Sequence, residues 1–173
     1  MRKLVIFDLD GTLLYTLEDL TNSVNFTLDL FDYETCTVDE ISSYVGNGVK
    51  QLMRRALPSD ISEKDFELCY ACFMDHYSKH CCEKTVPYPG IVDVLKVLKS
   101  RGIKIGVMSN KFQSAAEDVC EHYFEGLYDM VVGESEYCRR KPAPDGINMI
   151  CDRFDISKDE TIFFGDTEVD VRT

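Results

Sequence analysis

Four short clusters in this sequence carry side chains able to handle a phosphoryl group. The first, Asp8-Leu9-Asp10-Gly11-Thr12, sets two carboxylates at the end of an apolar run. Ser109-Asn110-Lys111 offers a hydroxyl, an amide and an ammonium, and Lys141 follows in Arg140-Lys141-Pro142. The last, Gly165-Asp166-Thr167-Glu168-Val169-Asp170, adds two more carboxylates. Bringing Asp8, Asp10, Asp166 and Asp170 together raises one another's pKa values unless a cation intervenes. Oxygen donors with open positions suit Mg2+, which keeps waters and takes a phosphate oxygen. With two acids adjacent, one can stay ionised as a nucleophile while the other cycles a proton. Lys141 and the Ser109 hydroxyl are placed to neutralise and orient phosphoryl oxygens, with Asn110 in the same phosphate-binding group and Lys111 as a further cation.

The elements that must position these clusters follow from the hydrophobic pattern. Lys3–Leu9 is a continuous apolar run, which reads as a buried strand, and Gly11 must turn the backbone just beyond it. From about Thr16 the period becomes helical, through Leu17, Leu20, Val24, Leu28 and Phe31, with Thr16 as the expected N-cap. Thr37 opens a second helix with acids in its first turn. Gly46-Asn47-Gly48 precedes a basic helix, Val49 to Leu57, and Ser62 to about Lys79 forms a longer amphipathic one. Pro87-Tyr88-Pro89-Gly90 is the strongest break. Beyond it helices (Ile91–Ser100, about Ser114–Tyr123, about Asp145–Phe154) alternate with strands (Ile103–Ser109, Met130–Val132, Thr161–Gly165). Such alternation implies a parallel sheet with right-handed crossovers. The expected architecture is α/β: a Rossmann-like parallel sheet core, residues 1–14 and 86–173, with an inserted all-helical cap, residues 15–85. All four clusters then sit at strand ends or on connected loops, and ligands of open parallel sheets bind beyond the carboxyl ends of the strands.

Composition narrows the partners. The chain has 173 residues, and its apolar share of 45% is enough for a real core. A net charge of −12 disfavours nucleic acid and anionic membranes, and it repels a phosphorylated substrate at long range. A site for such a substrate therefore needs a local positive centre. The apolar start stops at Asp8, too short for a signal peptide, so the reading is a cytoplasmic protein with its eight cysteines reduced. The expected partner is a small phosphorylated metabolite, with the protein a monomer or homodimer. In the helical insert Cys69, Cys72, His76 and His80 recur at three or four residues. Four ligands on one helix cannot surround zinc tetrahedrally, so buried thiols and surface histidines are the expectation.

Taken in order, the clusters resemble the motifs of the haloacid dehalogenase superfamily of phosphotransferases. Phe7-Asp8-Leu9-Asp10-Gly11-Thr12-Leu13 resembles its first motif, Ser109 the second, Lys141 in Lys-Pro-x-Pro the third, and Gly165-Asp166-x-x-x-Asp170 the fourth. The resemblance implies Asp8 as nucleophile and Asp10 as acid/base. It also implies Mg2+ held by Asp8, the backbone carbonyl of Asp10, and Asp166, with Asp170 as a ligand or its support. Within the superfamily, Tyr44-Val45-Gly46-Asn47-Gly48 with Arg55-Ala56-Leu57, Pro87-Tyr88-Pro89-Gly90 and Ser109-Asn110-Lys111 look like phosphoglycolate phosphatases. Tyr15 stands where many relatives carry an acid, and relatives usually continue past the fourth motif for another strand and helix. The chain is either short or a fragment.

Other readings share this pattern. Pyrophosphatases, nucleotide or sugar-phosphate phosphatases and phosphomutases would use the same residues. A dehalogenase needs no acid for an alkoxide, so Asp10 argues against it. A signalling domain phosphorylated on aspartate also clusters acids on a parallel sheet, but no helical insert would follow its first strand. The glycines at 46 and 48 could admit a substrate carboxylate at a helix N-terminus, or they could make an ordinary helix–helix turn.

Overall fold

In the computed structural model, which describes residues 2–173, the first strand, β1, covers Leu4–Phe7 and is buried along its whole length. Three further strands lie parallel to it: β4 (Lys104–Phe112), β5 (Met130–Glu134) and β6 (Thr161–Phe164), in the order β5-β4-β1-β6. Leu4 is level with Lys104 on one side and Thr161 on the other. Alternation sends Leu4 and Ile6 to one face of the sheet, where they meet Met108, Val132, Ile150 and Cys151. Helix α7 (Asp145–Phe154) covers that face. It sits close because two glycines are complementary to it. A Cβ on Gly106 would fall 2.8 Å from Ile150, and one on Gly146 would fall 2.9 Å from Met108. Val5, Phe7, Ile105 and Val107 bury the opposite face, while α5 (Ile91–Ser100) packs on β4 and α6 (Gln113–Phe124) on both β4 and β5.

The chain divides into two compact units, one running through Tyr15 and resuming over Pro87–Thr173, the other Thr16–Val86. The second unit is helical: α1 (Leu17–Leu30), α2 (Val38–Tyr44), α3 (Val49–Ala56) and α4 (Glu63–His80). Its core joins Leu20, Val24 and Leu28 of α1 to Phe66, Cys69, Phe73 and Tyr77 of α4, with Ile41, Leu52 and Met53 from the shorter helices. Thr37 caps α2 through a capping box with Glu40, and Ser62 accepts from the Asp65 amide to cap α4.

Three features depart from expectation. Thr16 precedes α1 but its side chain makes no capping hydrogen bond, since it has helical rather than extended φ/ψ. Leu14–Tyr15 (β2) and Val86–Pro87 (β3) form a second, two-stranded sheet too short to leave a period. Asp19, in the first turn of α1, is buried and accepts the Lys84 amide at 2.9 and 3.0 Å and the Thr85 amide at 2.8 Å.

That last contact sets a stability test within the helical unit. Asp19→Ala would leave two amides without their acceptor, a cost on the order of 3 kcal/mol. The melting temperature should drop by several degrees, with Asp19→Asn intermediate because it keeps one acceptor. An unchanged melting curve for the alanine variant would show that water replaces the carboxylate without loss.

Candidate active site

Asp8 follows β1 directly, and its amide donates to the Phe164 carbonyl at 2.8 Å, extending the pairing with β6 by one residue. The next residues form a tight turn. The Leu9 carbonyl accepts the amides of Leu13 and Leu14 at 3.0 Å, and the Gly11 amide donates to Leu14. Gly11 has φ +88°, and a Cβ there would stand 2.4 Å from the Asp166 carboxylate, so only glycine serves both the turn and the approach. Thr12 donates its hydroxyl to Asp166 at 3.0 Å, tying the first cluster to the fourth.

Asp8, Lys141 and Asp170 are all buried. The Lys141 ammonium lies 2.6 Å from Asp8 and 2.5 Å from Asp170, one cation shared by two carboxylates. Loss of solvent dominates at Asp8 and pushes its carboxyl up to about 7, with the charges of Asp170 and Asp10 adding to it and Lys141 opposing it. At Asp170 burial also acts upward and is the largest single effect. The hydrogen bonds from Lys141 and Thr167, with the charge of Lys141, outweigh it and hold the carboxyl below its ordinary range. Thr167 supplies both its amide (2.9 Å) and its hydroxyl (2.6 Å) at the start of the four-residue helix α8, Glu168–Val171.

The second cluster is aimed by an irregularity in β4. Met108 pairs with Val132 and Phe112 with Glu134, so three residues stand opposite Gly133 alone. A side chain on Gly133 would strike the Lys111 carbonyl at 2.6 Å, which is why the bulge faces a glycine. The three bulged residues reach two targets. Ser109 donates to Asp10 Oδ2 at 3.3 Å, and Lys111 Nζ lies 3.3 Å from Asp10 Oδ1. Between them Asn110 accepts the Lys141 amide at 2.6 Å and donates to its carbonyl at 3.3 Å, gripping the main chain that carries the lysine.

One carboxylate oxygen from each of Asp8, Asp166 and Asp170 lies within 4.8 Å of the others, the only such group of three or more ligating side chains among the described residues. Three carboxylates against one ammonium leave surplus negative charge, and the donors are all hard oxygens, so the set fits Mg2+. The Asp10 carboxylate lies outside this group, turned to Ser109 and Lys111, and the resemblance assigns only its main-chain carbonyl to the metal. The Cys/His stripe of α4 assembles no comparable group. Cys69 is in the core, His76 bonds Ser23 at 3.0 Å and His80 bonds Glu83 at 2.6 Å. The basic residues of α3 are engaged within their own unit: Lys50 by Glu67, Arg54 by Glu63 and Arg55 by the Tyr44 carbonyl. The supporting roles of Thr12 and Thr167 escaped sequence reasoning. For Thr167 a signal existed, since Thr167-x-x-Asp170 has the spacing of a helix-start capping box.

Comparison with known proteins places this arrangement. A sequence profile described as haloacid dehalogenase-like hydrolase matches residues 5–173. The chain is 33% identical to the phosphoglycolate phosphatase of Rhodospirillum rubrum, over 100% of its own length and 75% of that protein. It is 29% identical to the phosphoglycolate phosphatase of Aquifex aeolicus, over 98% of its own length and 78% of that protein. A crystal structure from Lactobacillus delbrueckii subsp. bulgaricus superposes with a TM-score of 0.93 at 31% identity, covering 99% of this chain and 82% of that one. With a profile match over nearly its whole length and relatives above 30% identity, the chain belongs to the haloacid dehalogenase-like hydrolases.

Proposed function

We propose that the protein is a Mg2+-dependent phosphatase that hydrolyses the phosphate monoester of a small carboxylic acid, of the phosphoglycolate type, through an aspartyl-phosphate on Asp8. The observation that carries this reading is the contrast between two acids two residues apart. Asp8 is buried and bound to Lys141, while Asp10 is turned to a hydroxyl and a second lysine. Relatives named phosphoglycolate phosphatase support the choice of substrate.

Asp8 attacks phosphorus through a carboxylate oxygen, and the bond from phosphorus to the ester oxygen breaks. Asp10 gives that oxygen a proton as it leaves. It then takes a proton from the water that attacks the aspartyl-phosphate, releasing inorganic phosphate and restoring Asp8. Lys141 holds the nucleophile and offsets its charge, while the Ser109 hydroxyl, which the resemblance assigns to the phosphoryl group, donates to Asp10 here and helps to hold that acid. Asp8, Asp166 and Asp170 would hold Mg2+, with the Asp10 carbonyl as the resemblance implies. Bound there, the ion would supply positive charge for phosphoryl oxygens in a site whose carboxylates outnumber its ammonium. Asn110 serves by gripping the Lys141 main chain.

The direct test is inorganic phosphate release from a panel of small phosphate esters with Mg2+, phosphoglycolate being the expected best substrate. Asp8→Asn should lower turnover by about 10³-fold or more with the fold intact. A variant with wild-type turnover would remove Asp8 from the mechanism. Retention of phosphate on an isomerised product would mark a mutase instead.

Metal and pH should act together. In metal-free protein the Asp8 carboxyl, raised from 3.8 to about 7, keeps a proton that the unfolded chain has already released. Stability should therefore fall as pH rises from about 4 to about 7, by up to about 4 kcal/mol, and stay low above that. Mg2+ relieves the ionised form, so its stabilising shift in melting temperature should be larger at pH 8 than at pH 5. A shift independent of pH would separate the ion from Asp8. Excess EDTA should abolish activity and Mg2+ restore it.

Asp10→Asn should reduce turnover of alkyl phosphates by roughly 10²-fold or more and that of nitrophenyl phosphate far less, because nitrophenolate leaves without a proton. Equal losses on both would assign Asp10 a structural role.

A further inference from the structure

Lys111 is a buried ammonium that the proposed mechanism leaves without a task. Its side chain is 7% exposed, against 20% for Asp10, so the lysine stands behind the carboxylate while Asp10 keeps an open side. The lysine's own backbone amide donates to the Ser109 hydroxyl oxygen at 3.1 Å, which turns the hydroxyl proton toward Asp10 Oδ2. Both oxygens of Asp10 are thus engaged from one three-residue bulge, by a hydroxyl on one and a cation on the other. The neighbouring Cys120 thiol is pushed up to about 12 by burial, so it stays neutral and brings no competing anion to Lys111.

Electrostatics explains why such a hold is needed. Asp10 is two residues from Asp8, which already shares Lys141 with Asp170 and lies near Asp166. An Asp10 side chain drawn into that group would add a fourth carboxylate to it and vacate the proton-transfer position. A buried ammonium paired to Asp10 favours the outward orientation, because leaving would strand a desolvated charge.

We infer that Lys111 is a positioning residue for Asp10: its ammonium, with the Ser109 hydroxyl, fixes the Asp10 carboxylate where it can exchange a proton with the leaving oxygen, and does not itself contact the phosphoryl group. This rests on Asp10 being the acid/base of the proposed phosphatase.

A double-mutant cycle tests it, using Lys111→Met, Asp10→Asn and the combination, each measured on phosphoglycolate and on nitrophenyl phosphate. Lys111→Met keeps the buried stem and removes the charge. It should lower kcat on the alkyl phosphate by about 10-fold to 100-fold with KM little changed, and on nitrophenyl phosphate by no more than about threefold. The double variant should fall within about twofold of Asp10→Asn alone, since a residue acting through Asp10 has nothing left to position. Losses that multiply, a rise in KM on both substrates, or equal loss of kcat on both would overturn the inference and make Lys111 a phosphoryl contact. The ratio of the two substrates is read within one preparation, so partial misfolding cancels, and Lys111→Gln provides a second uncharged variant. Failure here is separable from failure of the phosphatase reading. If Asp8→Asn turns over at the wild-type rate, the mechanism falls. If that variant is inactive and the cycle is multiplicative, only the role of Lys111 falls.

Discussion

A single ammonium between two buried carboxylates organises the catalytic end of the sheet. Lys141 binds Asp8 and Asp170 at once and opposes the upward push that burial gives both carboxyls. Each partner is then held from behind by something else. Asp8 is pinned through its amide to β6, Asp170 through Thr167, and Lys141 through the amide of Asn110 on its main chain. Three segments distant in sequence, the ends of β1, β4 and β6, therefore have to arrive in register for one charge to be balanced. The parallel pairing of those strands, with Leu4 level with both Lys104 and Thr161, provides that register.

The two lysines divide the work. Lys141 pairs with Asp8 and Asp170, while Lys111 pairs with Asp10 on the other side of the turn. What keeps them apart is the bulge of β4, which gives three consecutive residues separate targets, and the glycine opposite, which leaves room for it. Conformational freedom at Gly11 has a similar place in the first turn, where a side chain would collide with Asp166. Specificity of geometry here comes from positions with no side chain as much as from charged ones.

Much of this was legible in the sequence, and the exceptions have physical causes. Helices Ile91–Ser100 and Asp145–Phe154 run as their periodicity indicates, because each has a buried face and a clear break on either side. The strand read as Ile103–Ser109 continues to Phe112, since a bulge breaks the alternation on which a strand is recognised while the pairing resumes beyond it. Asp8, Ser109, Lys141 and Asp170 are legible because polar clusters interrupt the apolar pattern at strand ends and connected loops, in the order of the four motifs that they resemble. Lys111 was ranked behind Lys141 because spacing says nothing about which carboxylate a long side chain will reach. Asp19 left no mark at all: an acid in the first turn of a helix is ordinary, and only the fold shows that it is buried under two amides. Thr16 looked like a cap by residue type alone, whereas capping depends on a backbone conformation it does not have.

The placement of the two buried lysines also bears on how an anionic molecule arrives. The whole chain carries a charge of −12, so an approaching phosphate ester is repelled until it is close enough to sense the site itself. At physiological ionic strength fields from exposed charges fade over about 8 Å, but pairs shielded from solvent are screened far less. Added salt then weakens the distant repulsion while leaving the buried ion pairs of the site nearly intact. Encounter with an anionic ligand should quicken with ionic strength, the reverse of enzymes whose surfaces steer their substrates in. Diffusional capture by this protein is governed by its surface, and the geometry of its site by charges hidden from solvent.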